Sequence, residues 1–170
     1  MIEDVRTDQL QIVPEALTSA VGASLIAELN KELSGDYPEP GTTHFRLDPN
    51  EVTAGNGIFV VARWEGRPVG CGALRRIVDP DLTRELGPRV GELKRMYVAK
   101  DLRGKGIGRA VLARLESEAL KLGLDRLVLE TGNRSPQALA LYRRAGFTAI
   151  PAYGEYIASP TTSVCLSKLL

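Results

Sequence analysis

The chain has 170 residues, of which 44% are hydrophobic and 25% are charged, which is typical of one soluble globular domain. Its 22 basic and 21 acidic side chains leave a net charge of +1, which argues against a dedicated nucleic-acid binder or a polybasic membrane anchor. The sequence lacks an apolar stretch of about 18 residues, and its polar start, Met1–Arg6, is unlike a signal peptide. We therefore expect a cytoplasmic protein with no membrane or nucleic-acid partner, folded as a single domain over residues 1–170.

The first half of the chain predicts a strand, a helix and a β-hairpin. Leu10–Val13 is typical of a strand, and Pro14 is predicted to open a helix whose leucines recur at helical spacing. The stretch from Ser34 to Gly57 is rich in Pro, Gly, Asn and Thr, and we expect a long, partly irregular connection there. Ile58–Ala62 and Val69–Leu74 predict two strands joined by a tight turn.

The second half predicts strands that alternate with helices. A further excursion of the chain over Asp79–Arg89 is expected to lead into a strand of mixed polarity, Glu92–Ala99. Apolar residues at helical spacing from Ile107 predict an amphipathic helix that ends near Gly123. The remaining predicted elements are a buried strand at Leu127–Leu129, a helix opened by Ser135-Pro136 and ended by Gly146, and strands at Phe147–Ile150 and Ser163–Leu166. This order favours a mixed sheet with helices on its faces.

The cysteines and the single histidine give no support to a metal site, and we predict none. Cys71 and Cys165 lie far apart in apolar stretches, with no CxxC pair and no Cys/His cluster, so we expect two buried free thiols. His44 is interpreted as a loop residue. Candidate wall residues for a binding pocket are Tyr37, His44, Phe45, Tyr153 and Tyr156, each of which could equally be loop packing.

The segment Arg103–Arg109, RGKGIGR, follows a predicted strand and opens a helix. Glycine lets the backbone approach a ligand closely, and the free N–H groups and dipole of a helix's first turn favour an anion. Arg103, Lys105 and Arg109 add positive charge. The segment therefore predicts a cradle for a pyrophosphate, and the alternative is a tight strand–helix turn with a solvated basic rim.

Two other glycine-rich motifs do not fit the spacing of this cradle. A P-loop requires Ser or Thr directly after Gly-Lys, but Gly106 follows Gly104-Lys105. A Rossmann fingerprint requires Gly-x-Gly-x-x-Gly, whereas Gly104, Gly106 and Gly108 alternate. Asp125 also lies before its strand, whereas the acidic residue of a Rossmann fingerprint lies at the end of a strand. A dinucleotide-binding enzyme is thus a weaker alternative. Binding of NAD in the absence of coenzyme A binding would favour it.

Several segments together resemble the GNAT N-acetyltransferase family. Arg103-x-x-Gly106-x-Gly108 is similar to its acetyl-CoA signature, Arg/Gln-x-x-Gly-x-Gly/Ala. The similarity, which covers about Ile58 to the C-terminus, includes Leu93–Val98, Asn133, Ala138–Leu139, Leu141–Tyr142 and Ala145–Phe147. The resemblance implies an α/β (α+β) fold whose mostly antiparallel sheet of about seven strands is flanked by helices and splayed at the acetyl-CoA site.

The resemblance also implies which residues bind acetyl-CoA. In this family the strand before the cradle carries a bulge and splays from the next strand, and the pantetheine arm lies in the gap. The backbone of Met96, Tyr97 and Val98 would contact that arm, and an N–H near Val98 would polarise the thioester carbonyl. The implied set is completed by Arg103, Gly104, Lys105, Gly106, Ile107, Gly108, Arg109, Asn133 and Tyr142.

Two residues match the family's acid–base groups. Glu92 aligns with a glutamate that serves some members as general base through a water, although a carboxylate of ordinary pKa, about 4.3, is a weak base. Its alternative is a solvated strand-end residue paired with Lys94 or Arg95. Tyr142 matches the tyrosine that protonates the departing CoA thiolate, and its alternative is a half-buried core tyrosine.

The function implied is transfer of an acetyl group from acetyl-CoA to the amine of a small molecule, or a peptide amine, by direct attack in a ternary complex. The alternative is a non-catalytic acyl-CoA-binding sensor. The loops Ser34–Gly57 and Asp79–Arg89 are expected to form the acceptor pocket, and relatives of this kind often form homodimers. Lys94–Arg109 carries six basic residues and one acid, so the near-neutral total conceals a basic edge suited to a small polyphosphate.

Overall fold

The protein is described here by a computed structural model that covers residues 9–170, so the polar start Met1–Arg6 lies outside the described residues. Seven strands form one open sheet in the order β1-β2-β3-β4-β5-β7-β6. All pairings are antiparallel except β4 with β5, which is parallel. The strands are β1 (Leu10–Pro14), β2 (Gly57–Trp64), β3 (Arg67–Arg76), β4 (Val90–Val98), β5 (Arg126–Gly132), β6 (Thr148–Ile150) and β7 (Ser163–Leu169). The predicted fold class is confirmed.

Helices cover both faces of the sheet. They are α1 (Ala20–Asp36), α2 (Pro80–Leu86), α3 (Ile107–Lys121) and α4 (Pro136–Arg144), with short 3-10 helices at Pro49–Val52, Lys100–Leu102 and Gly154–Ala158. Successive residues of a strand point to opposite faces, so Val60 packs in the cluster that contains α3 and α4, whereas Phe59 packs with Leu25 of α1. A third cluster joins α2 to the last 3-10 helix on the α1 face.

The prediction that Pro14 opens a helix was wrong. Pro14 is the last residue of β1, and α1 begins at Ala20 behind Ser19, whose side chain accepts a hydrogen bond from the N–H of Gly22. β1 lies at the edge of the sheet, where a residue without an N–H is tolerated. The local preference of proline for a first helical turn was overridden by strand pairing with Val60.

The excursion expected over Asp79–Arg89 contains a helix. Asp79 caps α2 by accepting hydrogen bonds from the N–H groups of Asp81 and Leu82, and Pro80 occupies the first turn. The helix has only seven residues, so its apolar residues are too few to show helical periodicity. The long connection after α1 likewise contains the 3-10 helix Pro49–Val52.

The sheet is splayed between β4 and β5, as expected. Parallel pairing ends at Leu93 with Leu129, although both strands continue beyond that point. β4 also carries the expected bulge, because its register against β3 shifts opposite Gly72 and Arg95 has a φ of 58°. A Cβ on Gly72 would lie 2.6 Å from the Met96 sulfur, so glycine is required for this packing.

The buried face of α3 anchors the sheet and can be tested directly. Leu115 is fully buried, so Leu115→Ala should lower the free energy of unfolding by about 2–5 kcal/mol. Leu120 lies on the same helix and is exposed, so Leu120→Ala should change it by less than about 0.5 kcal/mol. Urea denaturation measures both, and equal losses would contradict the assigned orientation of α3.

Candidate active site

The glycine-rich segment forms the turn that leads from the 3-10 helix Lys100–Leu102 into α3. Gly104 and Gly106 have φ angles of 81° and 83°, a left-handed conformation that favours glycine. Gly106 is the N-cap of α3, and no side chain of residues 9–170 caps this end of the helix with a hydrogen bond. The first-turn N–H groups are therefore available to an anion, and a Cβ on Gly104 would meet nothing within 4 Å. This open cradle fits the phosphates of a nucleotide-containing ligand.

The basic side chains of the cradle have different roles in the structure. Arg103 donates from Nε to the Val98 carbonyl at 2.8 Å and from Nη2 to both Glu32 oxygens at 2.9 and 2.8 Å. It thereby ties the end of β4 to α1. Lys105 and Arg109 are exposed at the rim, while the Ile107 side chain is buried in the core, which leaves only its backbone for a ligand.

The end of β4 presents its backbone to the gap. The Ala99 N–H donates to the Val69 carbonyl on β3 at 2.7 Å. Because amides alternate in direction along a strand, the Val98 N–H points away from β3, towards the side that β5 has left. Met96 packs over Gly72 on the α3 face, and Tyr97 packs with the cluster against α1.

Tyr142 lies on α4 and is 5% exposed. Its ring packs edge-to-face with Phe147 at a centroid distance of 5.8 Å, which fits the core role considered as the alternative. Burial raises the pKa of Tyr142 above its usual value, and the negative charge of Glu130 adds to the rise. The phenol is therefore neutral at physiological pH and can act as a proton donor.

Glu92 is 1% exposed and lies in the middle of β4. Arg75 donates to Oε1 at 2.7 Å, and the hydroxyls of Tyr153 and Tyr156 donate to Oε2 at 2.6 and 3.1 Å. The alternative of a solvated residue paired with Lys94 or Arg95 was therefore wrong. Arg75 also pairs with Glu51, so this network connects the sheet to the 3-10 helix Pro49–Val52.

A cavity of about 710 Å³ opens beside Glu92 on the α1 face. It is lined by residues of the long loop, of the α2 region, of β3 and β4, and of the last 3-10 helix, including Arg46, Asp79, Arg75, Lys94 and Glu155. The two loops expected to build an acceptor pocket meet at this cavity.

The five candidate wall residues divide into three groups. Tyr153 and Tyr156 line the cavity, and His44 stacks edge-to-face on Tyr156 at 4.9 Å. Phe45 lies under the guanidinium of Arg95. Tyr37 is packed against Gly132, and its hydroxyl accepts the N–H of Arg134 at 2.8 Å, so it holds the end of β5 in place.

The structure also brings a carboxylate to the gap that no motif indicated. Glu130 is the first residue of β5 beyond its last pair with β4. Burial raises the pKa of the Glu130 carboxyl to about 7, the charges of Glu92 and Glu155 add to the rise, and Lys94 opposes it. Only the pairing register of β5 shows that Glu130 lies at the gap, because the sequence around it predicts no more than a buried strand.

Asn133, predicted to bind the pantetheine arm, follows the end of β5. Its side-chain amide donates to the Thr161 carbonyl at 2.9 Å, and its backbone N–H donates to Thr162 at 2.9 Å. These bonds join the end of β5 to the loop before β7. They leave the side-chain oxygen of Asn133 to accept a hydrogen bond from a ligand.

Comparison with known proteins agrees with this geometry. The model of the Acetyltransferase (GNAT) family matches residues 23–147, which is more than half of the chain. The chain belongs to the GNAT acetyltransferase family. The GNAT match includes the gap, the cradle and α4, so the family resemblance of the sequence is confirmed.

Individual relatives extend the similarity beyond the family model. An IAA acetyltransferase from Azospirillum brasilense is 39% identical over 136 residues, covering 80% of this chain and 82% of that protein. A Klebsiella pneumoniae protein of known structure is 31% identical with a TM-score of 0.73, covering 95% and 97% of the two chains. A GNAT family acetyltransferase from Elizabethkingia anophelis, solved with acetyl-CoA bound, is 20% identical with a TM-score of 0.66, covering 96% and 99%, and shares the fold.

The remaining sequence expectations concern membranes, metals and thiols. Within residues 9–170, no helix combines the length and apolarity needed to cross a membrane. The same residues contain no group of three His, Cys, Asp or Glu side chains placed to hold a metal ion. Cys71 and Cys165 are buried and free, as predicted, and burial raises their pKa values to about 12 and about 11.

Blocking the cradle should abolish binding of acetyl-CoA. Gly106→Trp places an indole at the start of α3, where phosphates would meet the free amides, and should raise the acetyl-CoA Kd at least about 100-fold. Gly123 is a matched control, because it has a φ of 74° and open space at the other end of the same helix. Calorimetry on both variants should show an unchanged Kd for Gly123→Trp, and equal loss in both would argue against the cradle.

Proposed function

We propose that this GNAT protein transfers the acetyl group of acetyl-CoA to the amine of a small molecule by direct attack in a ternary complex. The observation that carries the proposal is the gap between β4 and β5, which opens beside the uncapped start of α3 and is flanked by Tyr142 and Glu130. One face of the sheet thus offers a phosphate cradle, and the other offers a polar cavity for an acceptor.

The residues at the gap fit acetyl-CoA as the first substrate. The first-turn amides of α3, with Lys105 and Arg109 at the rim, would hold its phosphates, and the backbone of Met96–Val98 would pair with its pantetheine arm. Bound acetyl-CoA supplies a thioester, whose carbonyl carbon is open to attack by an amine. The Val98 N–H would donate to the carbonyl oxygen as negative charge develops there.

Tyr142 is proposed to protonate the CoA thiolate as it departs. Its raised pKa keeps the hydroxyl protonated until a strong acceptor forms next to it. A bare thiolate next to this buried side of α4 would be poorly solvated, so a phenol donor beside it lowers the barrier to departure. Because the ring is held by Phe147, the hydroxyl needs little rearrangement to donate.

A carboxylate on the cavity face is proposed to accept the proton of the amine, directly or through water. Glu92 is the residue that the family resemblance selects, but its two oxygens already accept three hydrogen bonds, which leaves them fewer free lone pairs to receive a proton. Glu130 is the second candidate, and its pKa of about 7 suits a base that works at neutral pH.

Replacing Tyr142 tests the proposed acid. Tyr142→Phe keeps the packing against Phe147 and removes the hydroxyl, so kcat should fall about 100-fold while the acetyl-CoA Kd changes little. Steady-state thiol release gives kcat, and calorimetry gives the Kd. An unchanged kcat would remove Tyr142 from the mechanism.

The pH dependence of kcat/KM distinguishes the two candidate bases. If Glu130 is the base, the rate should rise with pH through about 7, because the carboxyl must lose its proton to accept one from the amine. Glu130→Gln should then remove this rise with pH. Glu92→Gln should lower kcat/KM at every pH but should still show the rise. Loss of the rise in Glu92→Gln alone would assign the base to Glu92.

An acceptor screen tests the function as a whole. Acetyl-CoA is incubated with a panel of amines, and free thiol is followed in the presence and absence of each acceptor. Acceptor-dependent release with formation of the N-acetyl product is the expected result. Binding of acetyl-CoA without release for any acceptor would contradict the enzyme and favour the acyl-CoA sensor.

A further inference from the structure

Three charged side chains are buried among the described residues, and all three lie close together on β4 and its bulge: Glu92, Lys94 and Arg95. Glu92 accepts three hydrogen bonds, one of them from Arg75. The Lys94 ammonium lies 3.7 Å from a carboxylate oxygen of Glu155. Arg95 differs from both, because no salt bridge joins it to a carboxylate within residues 9–170.

The surroundings of Arg95 leave its guanidinium under-satisfied. The residue is 7% exposed, its Nη2 donates to the Asn30 side-chain oxygen on α1, and its Nε is buried with no hydrogen-bond partner in the part of the chain that the structure describes. The guanidinium carbon lies 5.1 Å from the centroid of the Phe45 ring. Burial lowers the pKa of Arg95, as expected for a charge that has lost water without gaining a counter-ion.

The backbone of β4 is distorted at this residue. Arg95 has a φ of 58°, which is uncommon for a residue with a Cβ, and it occupies the bulge opposite Gly72. A bulge redirects a side chain, and here the side chain reaches Asn30 on α1 rather than continuing the strand's alternation. A strained conformation that positions a buried, unpaired charge is typical of a functional site.

The position of Arg95 separates it from the phosphate cradle. Arg95 lies two residues beyond Leu93, where pairing of β4 with β5 ends, so it lies at the gap. Its side chain faces α1, whereas the cradle belongs to α3, which covers the opposite face of the sheet. An anion that pairs with Arg95 would therefore belong to the acceptor rather than to the phosphates of acetyl-CoA.

We propose that Arg95 binds a carboxylate of the acceptor, so that the acceptor is a small amino carboxylate. The inference rests on the proposed function, because it names the acceptor class of that same site. A guanidinium matches a carboxylate with two parallel N–H donors, and the two terminal nitrogens of Arg95 would form this pair because its Nε is enclosed by protein. Asn30 and Phe45 then fix the guanidinium plane from the side of α1.

The same positions limit the size of the acceptor. The amine must reach the thioester beside Val98, which lies three residues beyond Arg95 along β4. At about 3.3 Å per residue, the two backbone positions lie about 10 Å apart. Both groups therefore lie near one short stretch of β4, which favours a small acceptor such as an amino acid or a short ω-amino acid.

Matched acceptors test the proposal on the wild-type protein. Phenylalanine, phenylalaninamide and phenethylamine are compared by acetyl-CoA-dependent thiol release, as are alanine, alaninamide and ethylamine, with β-alanine added to vary the spacing. In at least one series, kcat/KM should be at least about 100-fold higher for the amino acid than for its amide or decarboxylated partner. Equal or better rates for the partners without a carboxylate would overturn the role of Arg95 and leave the proposed function intact.

Substitution of Arg95 tests the residue itself. Arg95→Met keeps the length of the side chain and should lower kcat/KM for the amino carboxylate about 100-fold, while that for the matched amine changes less than about threefold. Arg95→Lys should restore part of the preference because it keeps the charge. Lys121→Met is the control, since Lys121 is an exposed basic residue that pairs with Glu118 near the end of α3, on the other face of the sheet, and should not alter the preference.

A binding measurement on the wild-type protein distinguishes failure of the proposed acetyl transfer from failure of the proposed carboxylate site. It also tests the carboxylate site if Arg95→Met does not fold. Titration of the CoA complex with each acceptor should show binding of the amino acid and much weaker binding of its amide. If no acceptor releases thiol but this binding preference is present, the proposed transfer fails and the carboxylate site stands. If transfer occurs without any preference in binding or rate, the carboxylate site fails alone.

Discussion

The termination of β4–β5 pairing at Leu93 and Leu129 is the constraint on which the rest of the site depends. Up to that pair the two strands share a ladder and a core, and beyond it each strand has backbone groups turned towards the other without being bonded to it. Such groups are costly to bury without a partner. A ligand with its own amides can satisfy them, which is why a gap in a sheet is a suitable place for an extended pantetheine arm.

The two sides of the gap differ in their chemistry because the strands alternate. On one side α3 and α4 cover the sheet with apolar residues, and the start of α3 and the Tyr142 hydroxyl lie on this side. On the other side lie Glu92, Lys94 and Arg95, with Tyr153 and Tyr156 contributed by the last 3-10 helix. The ion pair of half-buried Arg75 with buried Glu92 holds this polar side in one arrangement, since the Glu92 carboxylate without a partner would be strongly unfavourable there.

Most of the architecture could be predicted from the sequence, and the misses have physical reasons. Alternation and helical spacing identified the strands and three of the helices, but α2 is too short to show a period. Pro14 was placed in a helix because of its local preference, whereas pairing at the edge of the sheet places it in β1. The motif of the cradle predicted its glycines, whereas the attachment of Arg103 to Glu32 on α1 joins residues far apart in the chain.

The sequence by itself determined the family, the cradle and the candidate acid and base, because each depends on residue types at short, fixed spacings. The tertiary structure alone decided the environments that set their chemistry. Glu92 is held by two tyrosines more than sixty residues away, and Glu130 acquires its raised pKa from burial beside other carboxylates. Among residues 9–170, Arg95 has no carboxylate as a counter-ion. Burial and charge pairing arise from long-range packing, so no local pattern in the chain encodes them.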